Sequence, residues 1–180
     1  MNLLNTKSRY GWLSMVLHWL MLALIIAAYI CILLTDSFPK GSETRALLKT
    51  WHFMLGLTVF ALVWVRLLAK LFSPTPLIEP QIAHWQDTTA KTVQTLLYLL
   101  MFAMPLLGWL TLSAAGKPIL FYGWQLPALI GVNHDLAETI KGLHEAGATA
   151  IYFLVGLHAA AALYHHYYVR DNTLRRMLPT

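Results

Sequence analysis

The sequence predicts an all-α integral membrane protein, a four-transmembrane-helix bundle with both termini in the cytoplasm, folded as a single domain over residues 1–180. Three observations predict it. Hydrophobic residues make up 58% of the chain and charged residues 12%, about half the roughly 25% charge share of a soluble domain. Four stretches carry no Asp, Glu, Lys or Arg: Tyr10 to Thr35, Thr50 to Val65, Thr92 to Gly116 and Ala146 to Val169. Three of them exceed the roughly 20 residues that a helix needs to cross the hydrocarbon core. The flanking cations are uneven. Lys7, Arg9, Arg66, Lys70, Lys91, Arg170, Arg175 and Arg176 fall on one side and Lys40, Arg45, Lys49, Lys117 and Lys141 on the other, which places the first side in the cytoplasm. The chain has room for a few spanning helices and short connections and none for a soluble catalytic domain.

The first span covers about residues 10–35. Lys7 and Arg9 ahead of an apolar run give it the look of a signal peptide. It is too long for one, and no small-residue cleavage site follows, so a retained helix is expected. The second span, about 47–72, has a short uncharged core and crosses if Lys49 and Arg66 snorkel to the interfaces. Ser73-Pro74-Thr75-Pro76 and Pro80 end it in a stiff loop, because proline removes a backbone donor and fixes φ. The third span covers about 92–115. The segment that follows holds Gly116, Pro118, Gly123, Pro127 and Gly131 among apolar Ile119, Leu120, Phe121 and Trp124. It is expected to lie on the membrane surface or cap the bundle, with Trp124 in the interfacial aromatic belt. The fourth span covers about 143–169. His84 and His134 are expected in loops as surface residues, and Cys31, the only cysteine, has no internal disulfide partner.

Six histidines fall within these spans: His18, His52, His144 and His158, and, at the end of the last span, His165 and His166. An ionisable residue inside a membrane is a functional-site hypothesis by default. His144 and His158 are 14 residues apart, four helical turns less about 40°, so both project from one helix face about 21 Å apart along the axis. The alternating direction of the spans puts His52 with His144 at the outer depth and His18 with His158 at the inner one. Two imidazoles from different helices at each of two depths are the requirement for bis-histidine ligation of two stacked haems, which need two strong axial donors and no open position. Gly56, Gly147 and Gly156, with Ala159 and Ala162, stand near the ligands and leave room for a porphyrin. The motif for covalent c-type attachment, C-x-x-C-H, is missing, so a haem here is a b haem held by coordination and packing alone. A proton relay or a zinc or copper site is the competing use. A metal-ion site favours carboxylate or thiolate beside imidazole at one depth, whereas the only acid near these histidines, Glu145, is at a span edge.

Arg66 follows His52 by 14 residues and reaches the inner depth, where its planar fork suits a haem propionate. Arg45 and Lys49 are the outer counterparts, with Lys40 and Lys117 weaker. His165 lies seven residues past His158 on nearly the same face and competes to pair with His18. An interfacial role is expected for it and for His166, either hydrogen bonding to propionates or proton delivery.

The chain resembles the bacterial cytochrome b561 family nearly end to end. The matching residues are Arg9-Tyr10 ahead of Leu17-His18-Trp19, His52 with Arg66, Ser73-Pro74-Thr75-Pro76, Gly116-Lys117-Pro118-Ile119 with Gly123-Trp124, and Leu143-His144. The most specific part runs from Gly156-Leu157-His158 through His165-His166 to Arg170-Asp171-Asn172-Thr173-Leu174 and Arg176-Met177. The resemblance implies a multi-pass protein of the bacterial inner membrane with two b haems, ligated through iron by His18, His52, His144 and His158. It further implies oxidoreductase activity that passes electrons from an outer-face donor, superoxide in some members, to ubiquinone with protons taken from inside. Other members are haem-bearing anchor subunits that relay electrons from a partner dehydrogenase or hydrogenase, and fold alone does not choose between these uses. The outer segments offer a superoxide anion little overall attraction, because their five cations are matched by Asp36, Glu43, Asp135, Glu138 and Glu145. Only Lys40, Arg45 and Lys49 form a local positive approach. Expected partners are the bilayer, ubiquinone and superoxide or a redox protein, and no nucleic acid. No catalytic residue and no quinone contact can be named from the sequence.

Overall fold

A computed structural model describes residues 2–178. Four long helices dominate it: α1 (Trp12–Leu34), α2 (Glu43–Leu71), α3 (His84–Ala114) and α4 (His134–Tyr164). Each is long and apolar enough to cross a membrane. Only 6% to 22% of the residues in the most apolar stretch of each are buried, and large side chains such as Leu33, Trp64, Leu99, Tyr152 and Phe153 stand exposed. In water such a surface would aggregate; in a bilayer the lipid tails are as apolar as leucine and the exposure costs nothing.

Four of the helix ends have a clear local cause. The chain before α1 folds back so that the Gly11 N–H donates to Asn5 Oδ1 at 2.9 Å and the Trp12 and Leu13 N–H groups donate to the carbonyls of Asn2 and Leu3. Gly11 is required there, because a Cβ would lie 2.4 Å from the Leu4 carbonyl carbon. Beyond α1, Thr35 Oγ1 donates back to the Ile32 carbonyl at 2.6 Å and a single 3-10 turn, Thr35–Ser37, follows. Ser42 Oγ caps α2 by accepting from the Arg45 N–H, satisfying one of the free first-turn donors. At the end of α3, Gly116 takes φ +66° while the Gly116 and Lys117 N–H groups donate to the Ser113 and Leu112 carbonyls, the Schellman pattern that closes a helix. α3 and α4 begin at His84 and His134. These two histidines therefore open helices and do not lie in loops, and both helices extend well past their apolar spans.

The segment after α3 is more ordered than its glycines and prolines suggest. Ile119–Phe121 (β1) and Trp124–Leu126 (β2) form an antiparallel hairpin with Phe121 opposite Trp124. Tyr122 and Gly123 make its two-residue turn at φ +47° and +89°, the left-handed geometry that matches strand twist. Tyr122 Oη lies 3.2 Å from Thr58 Oγ1 of α2, and Ile119 is buried with Leu57 and Leu112 against Phe53, Trp109 and Phe121. Trp109 Nε1 donates to the Pro127 carbonyl and Ser113 Oγ accepts from the Leu129 N–H. The loop is thus folded back onto α2 and α3 and does not stand away from them.

The chain's internal contacts divide into two compact units. The first holds the residues up to Trp19, Val63–Leu100 and the chain from Thr149 onward; the second holds Leu20–Leu62 and Met101–Ala148. Each unit takes one part of every long helix. The second also contains the hairpin, and the first contains the tail after α4. That tail starts with one π-helical turn, His165–Val169, and ends in a 3-10 turn, Arg175–Met177.

Candidate functional site

In the first unit the imidazoles of His18 (α1) and His158 (α4) face each other with ring centroids 6.2 Å apart. In the second unit those of His52 (α2) and His144 (α4) are 6.1 Å apart. These are the pairs expected from the sequence. With an imidazole–metal bond of about 2.0–2.1 Å and about 1 Å more from bonded nitrogen to ring centre, two imidazoles that held one metal ion between them would stand about 6 Å apart, centroid to centroid. Both pairs therefore have the spacing at which two imidazoles could hold one iron between them. Among the described residues no group of three or more metal-ligating side chains forms, so neither pair has the third protein ligand that a zinc site uses.

The second unit prepares its pair for that task. His52 Nδ1 is 2.9 Å from the Ala28 carbonyl and His144 Nδ1 is 3.0 Å from the Met104 carbonyl. A carbonyl only accepts, so each Nδ1 carries the proton and each Nε2 is left with a bare lone pair. A ring N–H held by a backbone carbonyl also fixes ring orientation and makes the free nitrogen a stronger donor. On α3, Gly108 lies against His144, where a Cβ would be 3.5 Å from Cε1. Tyr29 Oη ties α1 to α4 through the Ala148 carbonyl at 2.6 Å. Gly147 does not face a porphyrin-sized space as expected. A Cβ there would lie 2.4 Å from Met104 Sδ, so its role is close packing of α4 on α3.

The first unit treats its pair differently. Arg66 of α2 does not snorkel outward. Its Nη2 is 3.2 Å from His18 Nδ1 and its Nη1 donates to the Ser14 carbonyl at 3.4 Å. Arg66 and Lys70 both stand over the Tyr98 ring, 5.9 and 4.9 Å from its centre. His165 does not compete for His18, because its Nδ1 is 2.5 Å from Asp171 Oδ2. Asp171 is fully buried. Burial pushes its carboxyl up, but the hydrogen bonds from His165 and from the Thr173 N–H at 2.8 Å outweigh that and hold it below the ordinary carboxylate range. Around this pair the tail is strapped to the loop after α2. Asn172 exchanges hydrogen bonds with the Glu79 backbone, Arg176 donates to the Pro76 carbonyl, and Trp19 Nε1 donates to the Met177 carbonyl.

At the α1–α2 turn, Arg45 donates to the Thr35 and Phe38 carbonyls and to Asp36 Oδ1, at 2.6, 3.0 and 3.1 Å. Its side chain is 18% exposed against 86% for Asp36. Arg45 is thus engaged in holding the turn. Lys40, Arg45 and Lys49, with Gly41, Ser42 and Ala46, line one depression of about 390 Å³. The Ala28 and Met104 carbonyls, Ser14, Tyr98 and Gly108 belong to the site surroundings and were not foreseen, since a carbonyl acceptor has no sequence signature.

Paired imidazoles with no third protein donor, carried on membrane-capable helices, are the donor set of a membrane cytochrome engaged in electron transfer. The chain belongs to the prokaryotic cytochrome b561 family, whose model matches residues 9–180, and with the family comes b-type haem and a place in a bacterial membrane. It is 36% identical over 172 residues to cytochrome b561 homolog 1 of Escherichia coli K12, covering 96% of this chain and 98% of that protein. It is 37% identical over 171 residues to the probable superoxide oxidase CybB of Yersinia pestis, covering 95% and 96%. To cytochrome b561 homolog 2 of E. coli K12 it is 32% identical over 181 residues, covering 99% and 95%.

Proposed function

We propose that the protein is a di-haem oxidoreductase of the bacterial inner membrane, with both termini cytoplasmic, that takes electrons from superoxide at its outer face and delivers them to ubiquinone near the inner pair. The observation that carries this reading is the pair of imidazole pairs, each spaced so that its two rings could hold one iron between them. His52 and His144 would hold the outer haem and His18 and His158 the inner one, with Arg66 inside and Arg45 and Lys49 outside as candidate propionate partners. Bound haem would supply reversible one-electron iron chemistry, which the side chains of this chain lack. Two superoxide anions give up one electron each and leave as dioxygen; the two electrons and two protons convert one ubiquinone to ubiquinol. Lys40 and Lys49 are exposed and line the outer depression that an approaching anion would meet. His165 and Asp171 form the hydrogen-bonded pair best placed in the first unit to move protons. The superoxide donor is supported by the likeness to the Yersinia protein.

Purified protein in lipid should give two haems per chain by pyridine haemochrome assay, should be reduced by a superoxide-generating system, and should pass those electrons to added ubiquinone. Reduction that needs a co-purifying protein would instead favour the second reading, a relay subunit for a dehydrogenase or hydrogenase. That reading is motivated by the outward Leu120 and Trp124 of the hairpin, a ready platform for a partner.

A further inference from the structure

We infer that the β1–β2 hairpin is the clamp of the His52–His144 site, with Tyr122 as a positioning residue whose hydroxyl anchors the hairpin on α2. The clamp holds α2 and α3 at the spacing that brings the two rings together. The inference rests on the di-haem reading above and adds to it the residues outside the ligand set that keep this site in shape.

Three helices assemble the ring pair. His52 stands on α2, while α3 holds the His144 ring of α4 through the Met104 carbonyl at 3.0 Å and lies against it at Gly108. The angle between the two rings, 77°, therefore depends on how α2 lies against α3. The hairpin is wedged between those two helices. Ile119 of β1 is 3% exposed and packs with Leu57 of α2 and Leu112 of α3. Phe53 and Trp109, the chain neighbours of His52 and Gly108, close the same cluster. On α3 the wedge is pinned by Trp109 Nε1, which donates to the Pro127 carbonyl at 3.0 Å, and by Ser113 Oγ, which accepts from the Leu129 N–H at 3.1 Å. On α2 the polar anchor is Tyr122. Thr58 Oγ1 donates to the Met54 carbonyl at 2.8 Å, which uses its one proton. The 3.2 Å contact therefore runs from the Tyr122 O–H to Thr58 Oγ1. Tyr122 makes this bond from φ +47°, a conformation that disfavours a bulky residue and suits asparagine or glycine. Such a residue persists where its contacts over-determine it. A glycine would relieve the backbone and lose the bond.

Two measurements on the holoprotein in detergent test this without turnover. Electron paramagnetic resonance of the oxidised protein reads the site, because the g values of a low-spin haem follow the angle between its two ligand rings. Hydrogen exchange of the hairpin amides, at one pH, reads the anchor independently of haem. Tyr122→Phe should quicken that exchange several-fold and shift the low-spin signal that is missing from His144→Ala, while the signal missing from His158→Ala stays in place. Thr58→Val cuts the same bond from the other side and should match it, and the two together should add nothing. Thr58→Ser, which keeps the hydroxyl, should behave as native. Tyr122→Gly gives the sign: glycine would improve a residue kept for the turn alone, whereas loss of the anchor quickens exchange in spite of the relieved backbone. Hairpin exchange as slow as native in both Tyr122 variants would overturn the inference. So would quicker exchange with both signals unmoved, or a shift of the His18–His158 signal in place of the other. A native protein with one haem or none fails the di-haem reading itself, and the exchange comparison then decides the anchor alone.

Discussion

His52 and His144 in the second unit each donate Nδ1–H to a carbonyl, whereas His18 in the first faces a guanidinium, although the two ring pairs have almost the same spacing, 6.1 and 6.2 Å. The surroundings of the two units differ in the same sense. The second is organised by apolar packing of Leu57, Leu112 and Ile119 with the hairpin. The first is organised by polar bonds among its termini and the proline loop, including a fully buried carboxylate. The spacing of the paired imidazoles is alike in both units. What distinguishes them is the partner of each ring nitrogen: the carbonyls accept from Nδ1 of His52 and His144, whereas His18 Nδ1 accepts from the Arg66 guanidinium.

The sharpest way to break the comparison is to delete one ligand at a time. Replacing His52 or His144 with alanine should remove only the outer haem, and replacing His18 or His158 only the inner one. Haem content would fall from two per chain to one, measured by pyridine haemochrome on protein that is monodisperse in detergent. Loss of both haems from any single variant with its helical circular dichroism intact would mean that the two sites are not independent.

Much of this was readable before the structure, and the reasons are physical. Bilayer thickness makes apolar length a direct readout of helices, and the helical repeat makes His144 and His158 share a face. Chain direction then pairs them with His52 and His18. The rest depended on contacts that periodicity does not encode. Arg66 turns inward because His18, Ser14 and Tyr98 receive it. Gly147 is small because Met104 lies against it. His84 and His134 looked like loop residues because polar first turns precede each apolar stretch, yet a helix does not stop where the hydrocarbon does. The hairpin was hidden because Tyr122-Gly123 lacks the asparagine or aspartate that usually marks its turn.

The buried carboxylate of the first unit supplies the next effect. Asp171 has a folded-state pKa below its ordinary value of 3.8, so its contribution to stability is present above that value and lost as pH falls through the lower folded one. Its charge-assisted hydrogen bonds are worth about 1.5–3 kcal/mol. The protection of residues 170–178 against hydrogen exchange, taken relative to the intrinsic amide rate at each pH, should therefore fall on acidification below the ordinary carboxylate pKa, while that of the hairpin amides of the second unit changes little. Asp171→Asn should exchange faster at neutral pH and lose this acid dependence. An unchanged acid profile in that variant would remove Asp171 as its source.

Packing around the His52–His144 pair gives a smaller effect. Gly147→Ala would force Met104 aside, a one-methyl overpacking at the low end of about 1–3 kcal/mol, read as a lower thermal midpoint. Gly108→Ala meets only ordinary contact with the His144 ring and should leave stability and haem content near native. Equal destabilisation by both would contradict the distinction drawn between a glycine that packs helices and one that borders a ligand.

The smallest expected effect concerns entry at the outer face, and the structure changes how it is tested. Arg45 spends its hydrogen bonds on the α1–α2 turn, so neutralising it together with Lys40 and Lys49 would confuse a folding defect with lost attraction. Lys40→Gln with Lys49→Gln removes two exposed charges from the same depression and leaves the turn intact. Exposed charges act over a Debye length of about 8 Å at physiological salt. The double variant should slow haem reduction by a superoxide-generating system a few-fold at low ionic strength and flatten its salt dependence, with haem content and thermal midpoint unchanged. Arg45→Gln alone should do the reverse, lowering the midpoint while the salt dependence persists. A rate indifferent to salt and to both lysines would argue against steering of a small anion, and would shift the balance toward a protein partner docked on the hairpin.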